Sequence, residues 1–124
     1  MSMIVLDTNI VIAYLGADEG VKTKIREALT QGDKIAVPTV VVAEILAYPE
    51  IDEQTLTHTR QWLSEISVLV CDLETAERAA EIRRATKMKL VDSIVAATAL
   101  QQHASLASRD KEFQKVPELT LLIW

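Results

Sequence analysis

Four acids stand where the surrounding sequence is apolar. Asp7 closes the run Met3-Ile4-Val5-Leu6, and Glu44 sits between Val40-Val41-Val42-Ala43 and Ile45-Leu46-Ala47. Asp92 follows Leu90-Val91 and precedes Ser93-Ile94-Val95, and Asp110 comes shortly after Ser105-Leu106-Ala107. A carboxylate withdrawn from water without a partner is costly or takes up a proton, so each of these needs something to offset it. Structural uses exist for three. Asp7 and Asp110 are placed to cap the helical turns that follow them, and Asp92 to complement the dipole in the first turn of its helix. Glu44 falls in mid-helix, where a buried ion pair would be the structural use, and Lys34 and Arg60 are the nearest basic residues in sequence. Packed together, the acids would repel and call for a multivalent cation. Oxygen-only ligation favours a hard ion, Mg²⁺ or Mn²⁺, and the chemistry such an ion supplies is activation of water. Zinc is not indicated, because His58 and His103 lack ligand spacing with each other or with Cys71.

The elements that must position these acids alternate. Short β-like runs at Met3 to Leu6, Ile35 to Val37, Val68 to Cys71, Ser105 to Ala107 and Leu119 to Leu122 are separated by stretches of helical period. The helices are predicted at Asn9 to Leu15, Gly20 to Gln31, Val40 to Ala47, Gln54 to Glu65, Glu74 to Lys87 and Val91 to His103, with a short helical turn after Asp110. Thr39 is the expected cap of the third. Alternation of this kind builds a parallel sheet between helices, and such sheets gather ligands outside the carboxyl ends of their strands, where the strand order reverses. Asp7, Glu44, Asp92 and Asp110 can all meet on that edge. Val40 to Ala47 is apolar except at Glu44, and Ser93 to Leu100 carries no charge, so both helices are expected to be largely buried. Either neighbouring helices or a second subunit, hence a homodimer, would cover them.

A chain of 124 residues fits a single domain spanning 1–124. Cys71 has no partner for a disulfide and reads as a small buried hydrophobe; neither a signal peptide nor a membrane span is recognisable, so a cytoplasmic protein with no membrane partner is expected.

Several segments resemble the PIN-domain family, and more narrowly its VapC-type toxins. They are Leu6-Asp7-Thr8-Asn9, Val42-Ala43-Glu44, Lys89-Leu90-Val91-Asp92-Ser93-Ile94-Val95-Ala96-Ala97-Thr98-Ala99 and Ser108-Arg109-Asp110-Lys111-Glu112-Phe113, in the family's order along nearly the whole chain. The resemblance implies a three-layer α/β/α domain with a five-stranded parallel sheet of order 3-2-1-4-5. It also implies a Mg²⁺- or Mn²⁺-dependent endoribonuclease, the toxin of a toxin–antitoxin pair with a cognate antitoxin protein. By the same match Asp7, Glu44, Asp92 and Asp110 form the catalytic, metal-binding set, while Thr8, Asn9, Ser93 and Ser108 hold the carboxylates in place. The chain departs from the family at Ser108, where threonine is frequent, and at Glu112, where aspartate is frequent. Glu112 is therefore a further candidate, one methylene longer than the usual acid.

RNA as substrate needs cations, and the net charge is −5. Arg83, Arg84, Lys87 and Lys89 precede Asp92, and Arg109 adjoins Asp110. Lys87, Lys89 and Arg109 are the candidates for phosphate contact; Arg83 and Arg84 read as an ordinary helix face paired with Glu77, Glu81 or solvent. Trp62, Trp124, Tyr14 and Tyr48 are scattered, as core or interface residues are. Two other readings of the acids are a Mg²⁺-dependent phosphoacceptor receiver domain, which lacks here a lysine after its last strand, and a non-catalytic PIN-like module that binds a protein partner.

Overall fold

The structure, a computed structural model, describes residues 2–124. Five strands form one parallel sheet: β1 (Met3–Leu6), β2 (Lys34–Pro38), β3 (Ser67–Leu69), β4 (Ser105–Ser108) and β5 (Leu121–Ile123), in the order β3-β2-β1-β4-β5. Two helices, α1 (Thr8–Leu15) and α2 (Glu19–Thr30), connect β1 to β2; α3 (Thr39–Leu46) and α4 (Glu53–Leu63) connect β2 to β3; α5 (Leu73–Thr86) and α6 (Leu90–Gln101) connect β3 to β4. A short 3-10 helix, Lys111–Lys115, leads into β5. With helices on both faces of the sheet, this is the three-layer arrangement and strand order that the resemblance implied.

The central strands are buried as the sequence requires. Val5 and Leu6 of β1, Ala36 and Val37 of β2, and Leu106 and Ala107 of β4 are inaccessible to solvent. A continuous apolar run marks a strand covered on both faces, where an alternating one would leave a face in water. Register carries this core up to the site: Val5 pairs with Ala36 on one side and Leu106 on the other, and Leu6 with Ala107. The ladder extends to Asp7, whose N–H donates to the Ala107 carbonyl at 3.0 Å. The sheet ends in short edges of three residues each, β3 and β5, which limits the exposed hydrogen-bonding row.

Three expectations change. Thr39 is the first residue of α3, not its cap; Pro38 holds the cap position and makes no side-chain bond to the helix. Cys71 is exposed, because β3 stops at Leu69 and the chain has already left the sheet. The helix carrying Glu44 is buried on one stripe only, through Val41 and Ile45, and Glu44 itself is exposed. By contrast α6 is buried along most of its length, with Ser93 and Val95 to Ala99 inside. Its neighbours α5 and α3 pack against it, so within this chain it already has a cover. Alanines at 96, 97 and 99 let those neighbours approach closely. Tyr14 and Trp62 stack at 4.9 Å between ring centroids and brace α1 against α4, whereas Tyr48 is exposed.

Candidate active site

Strand order reverses between β1 and β4, and the acids collect at the carboxyl ends of these two strands. Asp7 leaves β1 and caps α1, its Oδ1 accepting from the Thr8 N–H at 2.8 Å. Asp110 leaves β4 and caps the 3-10 helix, its Oδ1 accepting from the Glu112 N–H at 2.9 Å. Both capping uses foreseen for these acids are therefore real, and each spends one carboxylate oxygen. Glu44 comes from α3 and Asp92 from the first turn of α6. Because α3 packs against both α1 and α6, the three helices bring one acid each to the same edge.

A hydrogen-bond network ties the acids together. The Ser108 hydroxyl donates to Asp7 Oδ2 at 2.7 Å and accepts from the Asp110 N–H at 3.0 Å. Asn9 completes this corner: its side-chain amide donates to Ser108 Oγ at 3.4 Å, and its Oδ1 accepts from the Arg109 N–H at 3.2 Å. On the other side the Thr8 hydroxyl donates to Glu44 Oε1. Thr8 and Ser108 each bond a carboxylate directly, whereas Asn9 reaches Asp7 only through Ser108. Ser93 does not touch a carboxylate; its hydroxyl turns back to the Lys89 carbonyl at 3.0 Å and closes the first turn of α6. Asp92 joins the cluster through charge alone.

The acids are close enough to bear on the ionisation of Asp7 and Asp92. Burial pushes the Asp7 carboxyl above its ordinary value; the Ser108 and Thr8 hydrogen bonds work against that shift, and the charges of Glu44 and Asp110 add to it. Asp92 is raised as well, by burial first and then by Asp7, Asp110 and Glu44, with Lys89 pulling the other way. Among the described residues, however, no three His, Cys, Asp or Glu side chains are arranged to hold a metal ion by themselves. Of the four, Asp92 and Asp110 line one cavity, together with Glu112.

The cations divide. Lys87 and Lys89 line a cavity together with Asp92 and Asp110. Arg109 points elsewhere: its guanidinium pairs with Asp18 at 3.0 Å and donates to the Trp124 carbonyl at 3.1 Å, fastening the loop after β4 to the α1–α2 connection and to the C-terminal residue. That pair holds the Asp18 carboxyl below its ordinary value. Arg83 stays exposed on α5, as expected, and its guanidinium donates to the Met88 carbonyl instead of pairing with Glu77 or Glu81. Lys115, which lines the same cavity, lies just past the Ser108–Phe113 segment and was not singled out in the sequence; its place on the short helix after Asp110 was the available signal.

The PIN domain family model matches residues 4–119. The chain belongs to the PIN-domain family. Solved structures agree with that placement at the level of fold. A chain of VapBC2 from Rickettsia felis, bound to a DNA fragment from its promoter, superposes with TM-score 0.86 at 22% identity, covering 98% of each chain. A chain of a toxin–antitoxin complex from Klebsiella pneumoniae gives 0.82 at 24%, covering 97% of this chain and 96% of that one. One of VapBC-1 from nontypeable Haemophilus influenzae gives 0.82 at 23%, with the same coverage. No curated protein matches the chain. Family membership sets aside the receiver-domain reading of the acids, and PIN domains are generally nucleases.

Proposed function

We propose that this PIN domain is a Mg²⁺- or Mn²⁺-dependent endoribonuclease of VapC type, the toxin of a toxin–antitoxin pair. One observation carries the catalytic part: the fold brings Asp7 and Asp110, joined through Ser108, together with Glu44, bonded to Thr8, and Asp92 to the strand-order reversal, where burial first and neighbouring acids second disfavour the ionised forms of Asp7 and Asp92. Excess negative charge held by the fold at a ligand-binding edge is what a cation would relieve. The donor set consists of carboxylate oxygens, the ligands a hard ion such as Mg²⁺ takes, one or two of them directly and the rest of its shell as water. Asp7, Asp92 and Asp110 would hold it, with Glu44 completing the negative wall. A bound ion there would supply an activated water and neutralise charge developing on a phosphodiester.

The chain's own groups do the positioning. Ser108 and Asn9 fix the Asp7 carboxylate relative to the Asp110 backbone, and Thr8 holds Glu44 against α1, so the acids need little rearrangement when a ligand arrives. Lys87 and Lys89 offset the acids on the side from which a phosphate backbone would enter. The toxin assignment is supported by the shared fold with chains from toxin–antitoxin complexes. An antitoxin partner, an RNA target and a second copy of the chain belong to the same reading.

Incubation of the purified chain with single-stranded RNA tests it. Cleavage is expected with Mg²⁺ or Mn²⁺ and none in EDTA. Intact RNA under both conditions, alongside a Mn²⁺-dependent rise in melting temperature, would leave a metal-binding module without nuclease activity. Growth arrest on expression in a bacterium, absent for Asp92→Asn, is the expected mark of a toxin; equal growth of both would refute that part.

A further inference from the structure

Asp92 and Asp110 share a cavity of about 490 Å³ with three lysines, Lys87, Lys89 and Lys115. Separate features of the fold place these lysines. Lys87 ends α5 in the left-handed conformation, φ 62°, and Lys89 immediately precedes α6. Between them Met88 is buried, and its carbonyl is tied to the Arg83 guanidinium, so the turn is anchored from below while both lysines stay exposed at the cavity wall. Lys115 comes from a different element, the end of the 3-10 helix that Asp110 caps. Its ammonium lies 2.6 Å from the Glu112 carboxylate.

This contact bears on both residues. Glu112, a candidate ligand by family resemblance, already has a partner in Lys115, and the pair is about half exposed, with side-chain accessibilities of 55% and 54%. An exposed pair of this kind is weak, so a phosphodiester entering the cavity can take the ammonium from the carboxylate. Three ammonium groups then face the acids of the cavity, which answers how a chain with net charge −5 can accept a polyanion beside its most acidic region.

We propose that Lys115 completes, with Lys87 and Lys89, a seat for the RNA backbone phosphate next to the one the acids address, and that Glu112 is the counterion of Lys115 until phosphate enters and not a metal ligand. The proposal rests on the ribonuclease reading above. It makes Lys115 a binding residue and Glu112 a positioning residue that competes with the phosphate.

The test is equilibrium binding of a fluorescent single-stranded RNA of mixed sequence in Ca²⁺, confirmed intact by gel, across roughly 50 to 200 mM salt. Lys115→Ala is expected to weaken binding roughly five- to tenfold and to reduce the slope of log K against log salt by about 0.7, the loss of one single-strand phosphate contact. Glu112→Gln is expected to tighten binding and to leave the Mn²⁺-induced rise in melting temperature unchanged. Lys24→Ala, on exposed α2 surface outside this cavity, should match wild type. Wild-type affinity and slope in Lys115→Ala, an equal loss in Lys24→Ala, or a lost Mn²⁺ shift in Glu112→Gln would each overturn the proposal while leaving the ribonuclease reading intact. A wild-type chain that binds no RNA would overturn both.

Discussion

At Ser108 a single hydroxyl serves three neighbours: it donates to Asp7 and accepts from the Asp110 N–H and the Asn9 amide. Ser108→Ala leaves a buried carboxylate oxygen and a backbone donor unpaired, at a cost of about 1–3 kcal/mol measurable by chemical denaturation. RNA cleavage should fall roughly 10- to 100-fold, as when a group orienting a metal site is lost, and Ser108→Thr, which keeps the hydroxyl, should retain most of it. Asp92 differs, for it has charge neighbours and no hydrogen bond to hold it. Its folded carboxyl titrates above the ordinary Asp value, as does that of Asp7. Below the ordinary value both folded and unfolded forms are protonated and nothing is lost. As pH rises from there through the raised values, the unfolded chain releases protons the folded one still holds, and stability falls. Asp92→Asn should therefore raise the metal-free melting temperature at pH 7 by roughly 2–4 °C, a modest gain because the group is only partly shielded from solvent. The gain should vanish on approach to pH 4, and Mn²⁺ should no longer produce its full stabilisation. Asp7, Asp92 and Asp110 were legible in the sequence because an acid after or before an apolar run is conspicuous. Glu44 was conspicuous for the wrong reason: its helix is one-sided, so it is an exposed acid bonded to Thr8 and needs no buried ion pair.

Elements decide which of these residues can meet. The parallel order β3-β2-β1-β4-β5 and the burial of α6 followed from continuous apolar runs, which report covering on both sides whatever the covering element is. Helix starts were less legible. Asp18, Asp52 and Asp72 cap α2, α4 and α5 through the N–H groups of Val21, Thr55 and Thr75, and in a polar stretch such acids look like any other solvated charge. Strand ends were missed at the edges, where β3 is three residues long and Val70 and Cys71 lie beyond it in solvent. Arg109 escaped for a third reason, since its partners Asp18 and Trp124 are distant in sequence and only the closed fold brings them near. The α5–α6 turn offers a test at this scale. Lys87 pays a backbone penalty at φ 62° that glycine does not. Lys87→Gly should stabilise the fold by up to about 1 kcal/mol in thermal melting and at the same time weaken RNA binding, two effects of opposite sign that a purely structural role for Lys87 would not produce.

Over the whole molecule the charge is arranged more tellingly than its total. A chain of net charge −5 is a poor general partner for RNA, yet four of its 18 acids are brought to one sheet edge, and three lysines line the cavity that holds Asp92, Asp110 and Glu112. No helix among the described residues is long and apolar enough to cross a membrane. Such a distribution predicts steep dependence on divalent cation: without it the edge repels a phosphate backbone, and with it the lysines and the ion act together. The most direct test is the chemistry of the cut ends when RNA is incubated in Mg²⁺ with wild type and with Asp92→Asn side by side. The account predicts 5′-phosphate and 3′-hydroxyl ends from wild type and a rate lower by at least about 100-fold in the variant. A 2′,3′-cyclic phosphate among the products, or undiminished cleavage by Asp92→Asn, would contradict it.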